Sequence, residues 1–546
     1  MTEEGKDGPK LIAGRWLRWH AGRAKHAYGS GFWVRETLAD VLRHAAEKTP
    51  ARVLIVDGEH RLDARTLHDQ ATTLAQAMLA RAPVGSVVSF MLPNWHEAAV
   101  IYLASTLAGM VAHPILPSLR DRDLAFALQD AESRLVFIPS TFRNHDYPGM
   151  LSRVIAQLPT PPEIVVLRGE AGPHARYEAL LTGDPDQALP TLDPDAVRMM
   201  LYTSGTTGRP KGVLHSHNSI HALMRQIGQH WLVEPGDRFL VPSPISHIGG
   251  SIYAFEAPLL LGMTAVLMER WSAEDAIRLA ATEHWTHMAG ATPFLQQLLD
   301  AARKAGAHLP DLKVFICGGA SVPPSLIREA AGYFERAVVT RVYGSTEVPV
   351  TTVGSLDRAD LDSAAETDGR PGIAEITLAD HPAAPPGEGE IRARGPQMLV
   401  GYLHAEDEAD AFDAEGYFRT GDLGRWERGD HLVVTGRAKD IIIRSGENIA
   451  PKEVEDILIH HPGIAEIAIV GLPDPRTGER ACAVIVPGNE QVVSVADIAA
   501  YLEAQGLAKF KIPEQVVLRD SLPRNDAGKV LKDRLRAAIL AGNSDA

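Results

Sequence analysis

From Leu201 to Gly212 the chain reads Leu-Tyr-Thr-Ser-Gly-Thr-Thr-Gly-Arg-Pro-Lys-Gly, a run rich in donors and free of acids. Gly205, Gly208 and Gly212 permit tight turns that bring backbone N–H groups close to a ligand. Thr203, Ser204, Thr206 and Thr207 add hydroxyls, and Lys211 adds a fixed positive charge. This combination suits an anion of the phosphate type. The spacing is not that of a Walker A loop, G-x-x-x-x-G-K-[ST]. Two residues separate Gly205 from Gly208, and Gly212 follows Lys211. A P-loop NTPase of the usual kind is therefore disfavoured.

Other stretches carry residues of comparable promise. Pro242-Ser-Pro-Ile-Ser-His247-Ile-Gly-Gly250 sets His247 in a turn. Val314-Phe-Ile-Cys-Gly-Gly-Ala320 is an apolar strand ending at Gly318, Gly319 and Ala320, and such strand ends are where α/β sheets bind ligands. Arg341-Val-Tyr-Gly-Ser-Thr-Glu347 gathers Tyr343, Gly344, Thr346 and Glu347. Tyr417-Phe-Arg-Thr-Gly-Asp422 ends on an acid. Arg437, Lys439, Gly446, Glu447 and Asn448 lie in Gly436-Arg-Ala-Lys-Asp-Ile-Ile-Ile-Arg-Ser-Gly-Glu-Asn448, and Lys529 closes Pro523-Arg-Asn-Asp-Ala-Gly-Lys529.

The elements that must position these residues alternate. Thr37–Pro50 reads as an amphipathic helix with Thr37 as N-cap, followed by a strand over Val53–Val56 and a helix over Thr66–Leu79. Further strands are expected at Ser86–Met91, Leu135–Ile138, Ile164–Leu167 and Val197–Tyr202, with a helix over Glu97–Leu107. The order is that of an α/β fold with parallel sheets. Residues 160–194 are rich in Pro, Gly and Asp and read as a surface segment, and 382–390 as a connector. From Ile391 to Val434 short strands and turns take over. A smaller C-terminal unit follows, with helices over Pro451–Ile459 and Val495–Glu503 and strands over Ile464–Val470 and Ala481–Val486.

At 546 residues more than one core is needed. The net charge of −15 argues against a general nucleic-acid binder and a polybasic membrane anchor. Only Cys317 and Cys482 occur, so no disulfide framework or zinc site is expected. No apolar run is long enough to span a membrane, and the first 31 residues lack an apolar signal core, so a cytoplasmic location is expected.

Taken together, the motifs resemble those of the adenylate-forming superfamily: acyl-CoA synthetases, adenylation domains of peptide synthetases, and beetle luciferases. The resemblance covers nearly the whole chain. It implies a large N-terminal domain (1–438) of parallel sheets flanked by helices plus a small β-barrel-like subdomain, and a small mobile α+β C-terminal domain (439–546) hinged near Lys439. By the same resemblance the loop from Thr203 through Gly208, with Lys211, would hold ATP phosphates. Tyr343 would stack near adenine beside Gly318, Gly319, Ala320 and Gly344. Thr346 would contact the α-phosphate. Thr203 and Glu347 would bind Mg²⁺, a cation that favours a carboxylate plus phosphate oxygens. Asp422, with two acceptor oxygens, would take both ribose hydroxyls, reinforced by Arg437. His247 would orient the acyl group, with Ser246 standing where relatives often carry an aromatic residue. Gly446 and Glu447 would line a pantetheine tunnel, Lys509 and Lys511 would meet CoA phosphates, and Lys529 would serve catalysis.

The implied enzyme is an AMP-forming acyl-CoA ligase using ATP, Mg²⁺ and coenzyme A. Its acid is expected to be a medium-chain, alicyclic (cyclohexanecarboxylate-type) or aromatic carboxylate. The absence of an attached carrier domain favours CoA over a carrier-protein phosphopantetheine as acceptor. A non-catalytic nucleotide-binding regulator is the alternative of another class, and an intact Glu347 and Lys529 speak against it. A luciferase-type oxygenase has no motif of its own here. Partners are small molecules, with no nucleic acid and no membrane span. A homodimer is compatible with the sequence but not specified by it.

Overall fold

The computed structural model describes residues 8–182, 187–203, 209–319, 322–445, 447–488, 493–525 and 528–542. Two large sheets dominate. In the first, the strands Val111–Pro114, Val87–Phe90, Ser133–Pro139, Glu163–Leu167 and Ala175–Arg176 run parallel to one another and to Val197–Thr203. Lys211–Ser216 then turns back antiparallel on Val197–Thr203 and pairs with the short strand Gly401–Tyr402. In the second, Val338–Val342, Val314–Gly318, His287–Gly290, Arg238–Val241, Thr264–Leu267 and Val53–Asp57 are parallel, with His60–Asp63 antiparallel at the edge.

Strands buried on both faces read as near-continuous apolar runs, and Leu135–Pro139 and Val314–Cys317 are buried throughout. The helix His96–Leu107 lies between the two sheets, and every residue from Ala98 to Leu107 is buried. A helix apolar all round belongs inside a large core, and this one carries the main core of both sheets. Helix Leu38–Lys48 starts where Thr37 makes a capping box with Asp40.

The expected barrel-like part is, in this chain, a four-stranded antiparallel sheet of Glu375–Ala379, Gly389–Arg394, Phe418–Glu427 and His431–Arg437. A five-stranded sheet built around Ile464–Asp474 and Gly478–Pro487 follows, covered by Pro451–Leu458, Val495–Ala504 and Lys532–Leu540. It has its own apolar clusters around Ile469 and Leu535. The segment read as a surface stretch, 160–194, also contributes Ala175–Arg176 and the helical turn Tyr177–Leu180, where Tyr177 and Leu180 are buried. The hairpin Gly8–Ile12 with Arg15–Trp19 and the helix Ala21–Gly29 were not anticipated. Among the described residues no helix is long and apolar enough to cross a membrane.

One polar group is buried at the centre of the core. Arg198 and Glu256 form an ion pair with both side chains 1% exposed. Tyr102, on the central helix, donates to Glu256 and accepts from Arg198 Nη1 at 3.0 Å. Glu256 closes a π-helical turn, Ile252–Glu256. The three side chains tie the central helix, the strand entering the glycine loop and the segment after His247 into one body. A buried ion pair repays its desolvation only while both partners are present. Glu256→Ala is expected to lower stability by about 3–5 kcal/mol, with Arg198→Met/Glu256→Leu recovering most of the loss. Urea unfolding followed by tryptophan fluorescence checks this, and an unchanged midpoint for Glu256→Ala contradicts it.

Candidate functional site

The strand pair around the glycine loop fixes both of its ends, with Thr203 opposite Lys211 and Tyr202 opposite Gly212. Ser204, Gly205, Thr206, Thr207 and Gly208 lie outside the described residues, as do Ala320 and Gly446. Lys211 Nζ donates to the Asp407 carbonyl at 3.3 Å and stands 3.7 Å from its carboxylate, which also pairs with Arg209 at 2.9 Å. The Lys211 ammonium is 5.3 Å from the centre of the Tyr402 ring. Tyr402 in turn donates to Glu347 Oε1 at 3.2 Å. Burial, reinforced by the Glu347 charge, pushes the Tyr402 phenol up, so it stays a donor at neutral pH. Tyr402 and Asp407 were missed in the sequence, where neither belongs to a recognisable motif.

Glu347 and Thr346 lie in an irregular loop after Val338–Val342, both half-buried. Gly344 is required there, because a Cβ would come within 2.7 Å of the Val350 nitrogen. The Glu347 carbonyl accepts from Leu399 N at 2.7 Å. The Thr346 carbonyl accepts from the buried His215 Nε2 at 2.8 Å, and burial pushes that imidazole down to about 4 despite this bond.

Asp422 is the meeting point of a second group. Cross-strand pairing sets it opposite Arg437, whose Nε lies 2.9 Å from Asp422 Oδ1. Tyr343, following a strand of the second large sheet, donates to Asp422 Oδ2 at 2.7 Å. The hydroxyl of Tyr343 is thus engaged by the acid, and each oxygen of Asp422 has one strong partner and a spare lone pair. Lys529 comes to the same place from the C-terminal unit. Burial first, and then the charge of Arg437, pull its ammonium down to about 8, against the attraction of Asp422. The hairpin that presents it is closed by Asn525, whose side chain accepts from Lys529 N at 2.8 Å, and by a bridge between Arg524 and Val530. A Cβ on Gly528 would lie 3.4 Å from the Ala291 Cβ, so the hairpin sits directly against the large unit. Asn525 was not singled out from the sequence.

His247 heads the helical turn Ile248–Ser251 and accepts there from Gly250 N and Ser251 N at 2.9 and 3.0 Å. Gly250 is obligatory, since a Cβ would fall 2.1 Å from the Pro244 carbonyl oxygen. Asn94, unrecognised in the sequence, staples this loop by donating to the carbonyls of Val241 and Ser243 and accepting from Ile245 N. Ser246 is 8% exposed, and its hydroxyl has no hydrogen-bond partner among the described residues. Gly318 abuts the Val342 carbonyl, and Gly319 is exposed at the strand end.

Lys439 is exposed in the 3₁₀ turn Ala438–Asp440, and its charge also acts on Lys529. Glu447 is exposed on the hairpin formed with Ile442–Arg444. Lys509 and Lys511 are engaged locally by Glu503 and Glu453. Burial pushes the thiols of Cys317 and Cys482 up to about 12, which removes both as nucleophiles at neutral pH. Elsewhere Asp57, His96 and Glu97 form a metal-like cluster, but the Arg168 guanidinium already pairs with both carboxylates.

The sequence profile described as AMP-binding enzyme matches residues 42–403, and that of the AMP-binding enzyme C-terminal domain matches 453–529. The chain is 34% identical over 522 residues to the medium-chain fatty-acid–CoA ligase of Escherichia coli K12, covering 93% of this chain and 92% of that one. It is 32% identical over 528 residues to the 2,3-dihydroxybenzoate-AMP ligase of Bacillus subtilis 168, covering 93% and 95%. Among solved structures it is similar to ATP-bound MatB from Rhodopseudomonas palustris, with a TM-score of 0.80, 27% identity and coverage of 92% and 98%.

The lowered pKa of Lys529 has a definite sign. Below about pH 8 the lysine is protonated wherever it stands, and docking it beside Arg437 carries the full cost. Between about 8 and the ordinary value of 10.5 the docked amine sheds its proton and that cost fades. Acetic anhydride labelling of Lys529 in the ligand-free protein, followed by peptide mass spectrometry, should therefore titrate with a midpoint near 8. A midpoint at the ordinary lysine value contradicts the docked arrangement.

Proposed function

The chain belongs to the AMP-binding enzyme family, and on that premise we propose that it is an acid–thiol ligase of the AMP-forming kind. A carboxylate attacks the α-phosphorus of ATP and pyrophosphate leaves. The thiol of CoA then attacks the acyl-adenylate and AMP leaves. One arrangement carries this reading: Asp422, Arg437 and Tyr343 of the large unit form one bonded group, and the charges of Asp422 and Arg437 act on Lys529 of the C-terminal unit.

In the first step two anions must approach, and the residues at this place lower their repulsion. Lys211 and the glycine loop would bind the phosphates. Asp422 would orient the ribose through its spare lone pairs, held still by Arg437 and Tyr343. Lys529 would supply a cation between the carboxylate and the α-phosphate. Phosphate anions favour the ammonium and would restore the proton that burial loosens. Losing one preorganised donor of this type costs about 10²–10³ in rate.

The donors at Glu347 fit magnesium. They are oxygens only, and Tyr402 orients one carboxylate oxygen while the other has no hydrogen-bond partner among the described residues. Glu347 and Thr203 would hold the ion, which supplies positive charge to phosphate oxygens when bound. The acid is a medium-chain, alicyclic or aromatic carboxylate, lying near His247, Gly319 and Val348. The likeness to ligases of medium-chain and dihydroxybenzoic acids supports that class. The boundary between the two working domains is Lys439, in an exposed turn between their sheets.

ATP–pyrophosphate exchange with a panel of carboxylic acids tests the activity, and a panel without any exchange refutes it. Lys529→Ala should abolish exchange and yet form thioester from synthetic acyl-adenylate and CoA at close to the wild-type rate. Loss of both half-reactions in a folded variant would remove Lys529 from the assigned role. Lys439→Pro fixes φ near roughly −65° and restricts the preceding residue. It should impair one half-reaction far more than the other, and equal losses would rule out a hinge at this position.

A further inference from the structure

His215 makes a contact that no motif accounts for. It lies on the strand Lys211–Ser216, on the same face as Lys211 and Val213, and is fully buried. Its Nε2 is 2.8 Å from the Thr346 carbonyl oxygen. A carbonyl only accepts, so Nε2 carries the hydrogen and Nδ1 is the acceptor. Nδ1 faces the Ser219 hydroxyl at 3.2 Å, and Ser219 is itself held in a capping box with Ser216 at the start of helix His217–His230. The ring therefore has one tautomer and one orientation.

The loop that receives this bond has no ladder to satisfy its peptides, so each polar group needs its own partner. Two successive carbonyls are met from neighbouring segments: Thr346 by His215, and Glu347 by Leu399 N at 2.7 Å. The Glu347 side chain is met by Tyr402, and Tyr402 pairs with Val213. Two of these three holds, His215 and Tyr402, thus hang from the strand that leaves the glycine loop at Lys211. Moving the Thr346 peptide by an ångström would move Thr346 and Glu347 relative to Lys211.

We propose that His215 is a positioning residue for adenylation, one that keeps the Thr346–Glu347 peptide in register with the Lys211 strand. The inference rests on the function proposed above. Without the imidazole the part-buried Thr346 carbonyl loses its protein donor, and the peptide is free to shift or turn. Misplacement of about 1 Å can cost about 10²-fold in rate.

The test uses the full chain with octanoate and cyclohexanecarboxylate as acids. His215→Leu should lower kcat/KM for Mg·ATP in pyrophosphate exchange by about 30–100-fold. It should also raise the Mg²⁺ concentration needed for half-maximal exchange. Thioester formation from octanoyl-adenylate and CoA should fall clearly less, because the β- and γ-phosphates and the cation that Glu347 would hold take no part in that step. His215→Gln, whose amide can reach the same carbonyl, should regain at least about tenfold over His215→Leu. A folded His215→Leu with exchange near wild type, equal losses in both half-reactions, or a folded His215→Gln no better than His215→Leu each overturns the inference. Should His215→Leu not fold, Ser219→Ala carries the test. It should show a smaller loss confined to exchange, and no loss, or a loss shared by both steps, overturns the inference. Glu347→Gln assayed alongside separates the two readings. Exchange lost in Glu347→Gln but kept in His215→Leu defeats the inference alone, whereas exchange kept in Glu347→Gln defeats the role given to Glu347.

Discussion

The ion pair of Asp422 with Arg437 is the interaction on which the site depends. The two residues face each other across neighbouring strands, so the small sheet places them by backbone pairing. Tyr343 reaches the same carboxylate from the second large sheet, and Lys529 approaches from the C-terminal unit. Residues of two sheets and of the C-terminal unit therefore bear on one acid. Opposite charges meet there: the carboxylate of Asp422 stands against Arg437 and Lys529, and Asp440 and Lys439 also act on Lys529. Lys529 shows the cost, because desolvation beside Arg437 loosens its proton.

Around Lys211 one carboxylate again faces two cations. Asp407 engages both Lys211 and Arg209 and holds the base of the glycine loop in place. Tyr402 connects this region to Glu347, stacking beside the cation and donating to the acid. On the far side the core is tied by Tyr102, Arg198 and Glu256. Burying those charges is tolerable only because each has its partner, and the result is that the central helix, the strand before the glycine loop and the segment after His247 move as one. Asn94 performs the same service for the His247 loop with three hydrogen bonds.

The fold was largely legible because its strands are buried on both faces and its helices carry local start signals. Val314–Gly318, Glu163–Leu167 and Leu38–Lys48 with its Thr37 cap fall within a residue or two of their expected bounds. The N-terminal hairpin escaped because its apolar residues fall on both faces: Ile12 and Leu17 are buried, whereas Leu11 and Trp16, paired across it, face solvent and blur the alternation. Within the site, Tyr343, Glu347, Asp422 and Lys529 announced themselves by motif. His215, Asn94, Tyr402 and Asp407 did not, since each acts on a carbonyl, an amide or a charge far away in the chain.

The sequence by itself determined which reactive side chains are on offer and, through the resemblance their motifs carry, what to expect of them: a glycine-rich loop with Lys211, the acids Glu347 and Asp422, and Lys529, set on an alternating α/β chain. Local residue type and spacing suffice to find them. Only the tertiary structure decided how these groups bear on one another. Whether Lys529 stands near Asp422, whether Ser246 keeps a buried hydroxyl without a partner, and which side chain holds the Thr346 carbonyl depend on the docking of distant segments. Desolvation and hydrogen-bond geometry arise from that docking and have no signature in the order of residues along the chain.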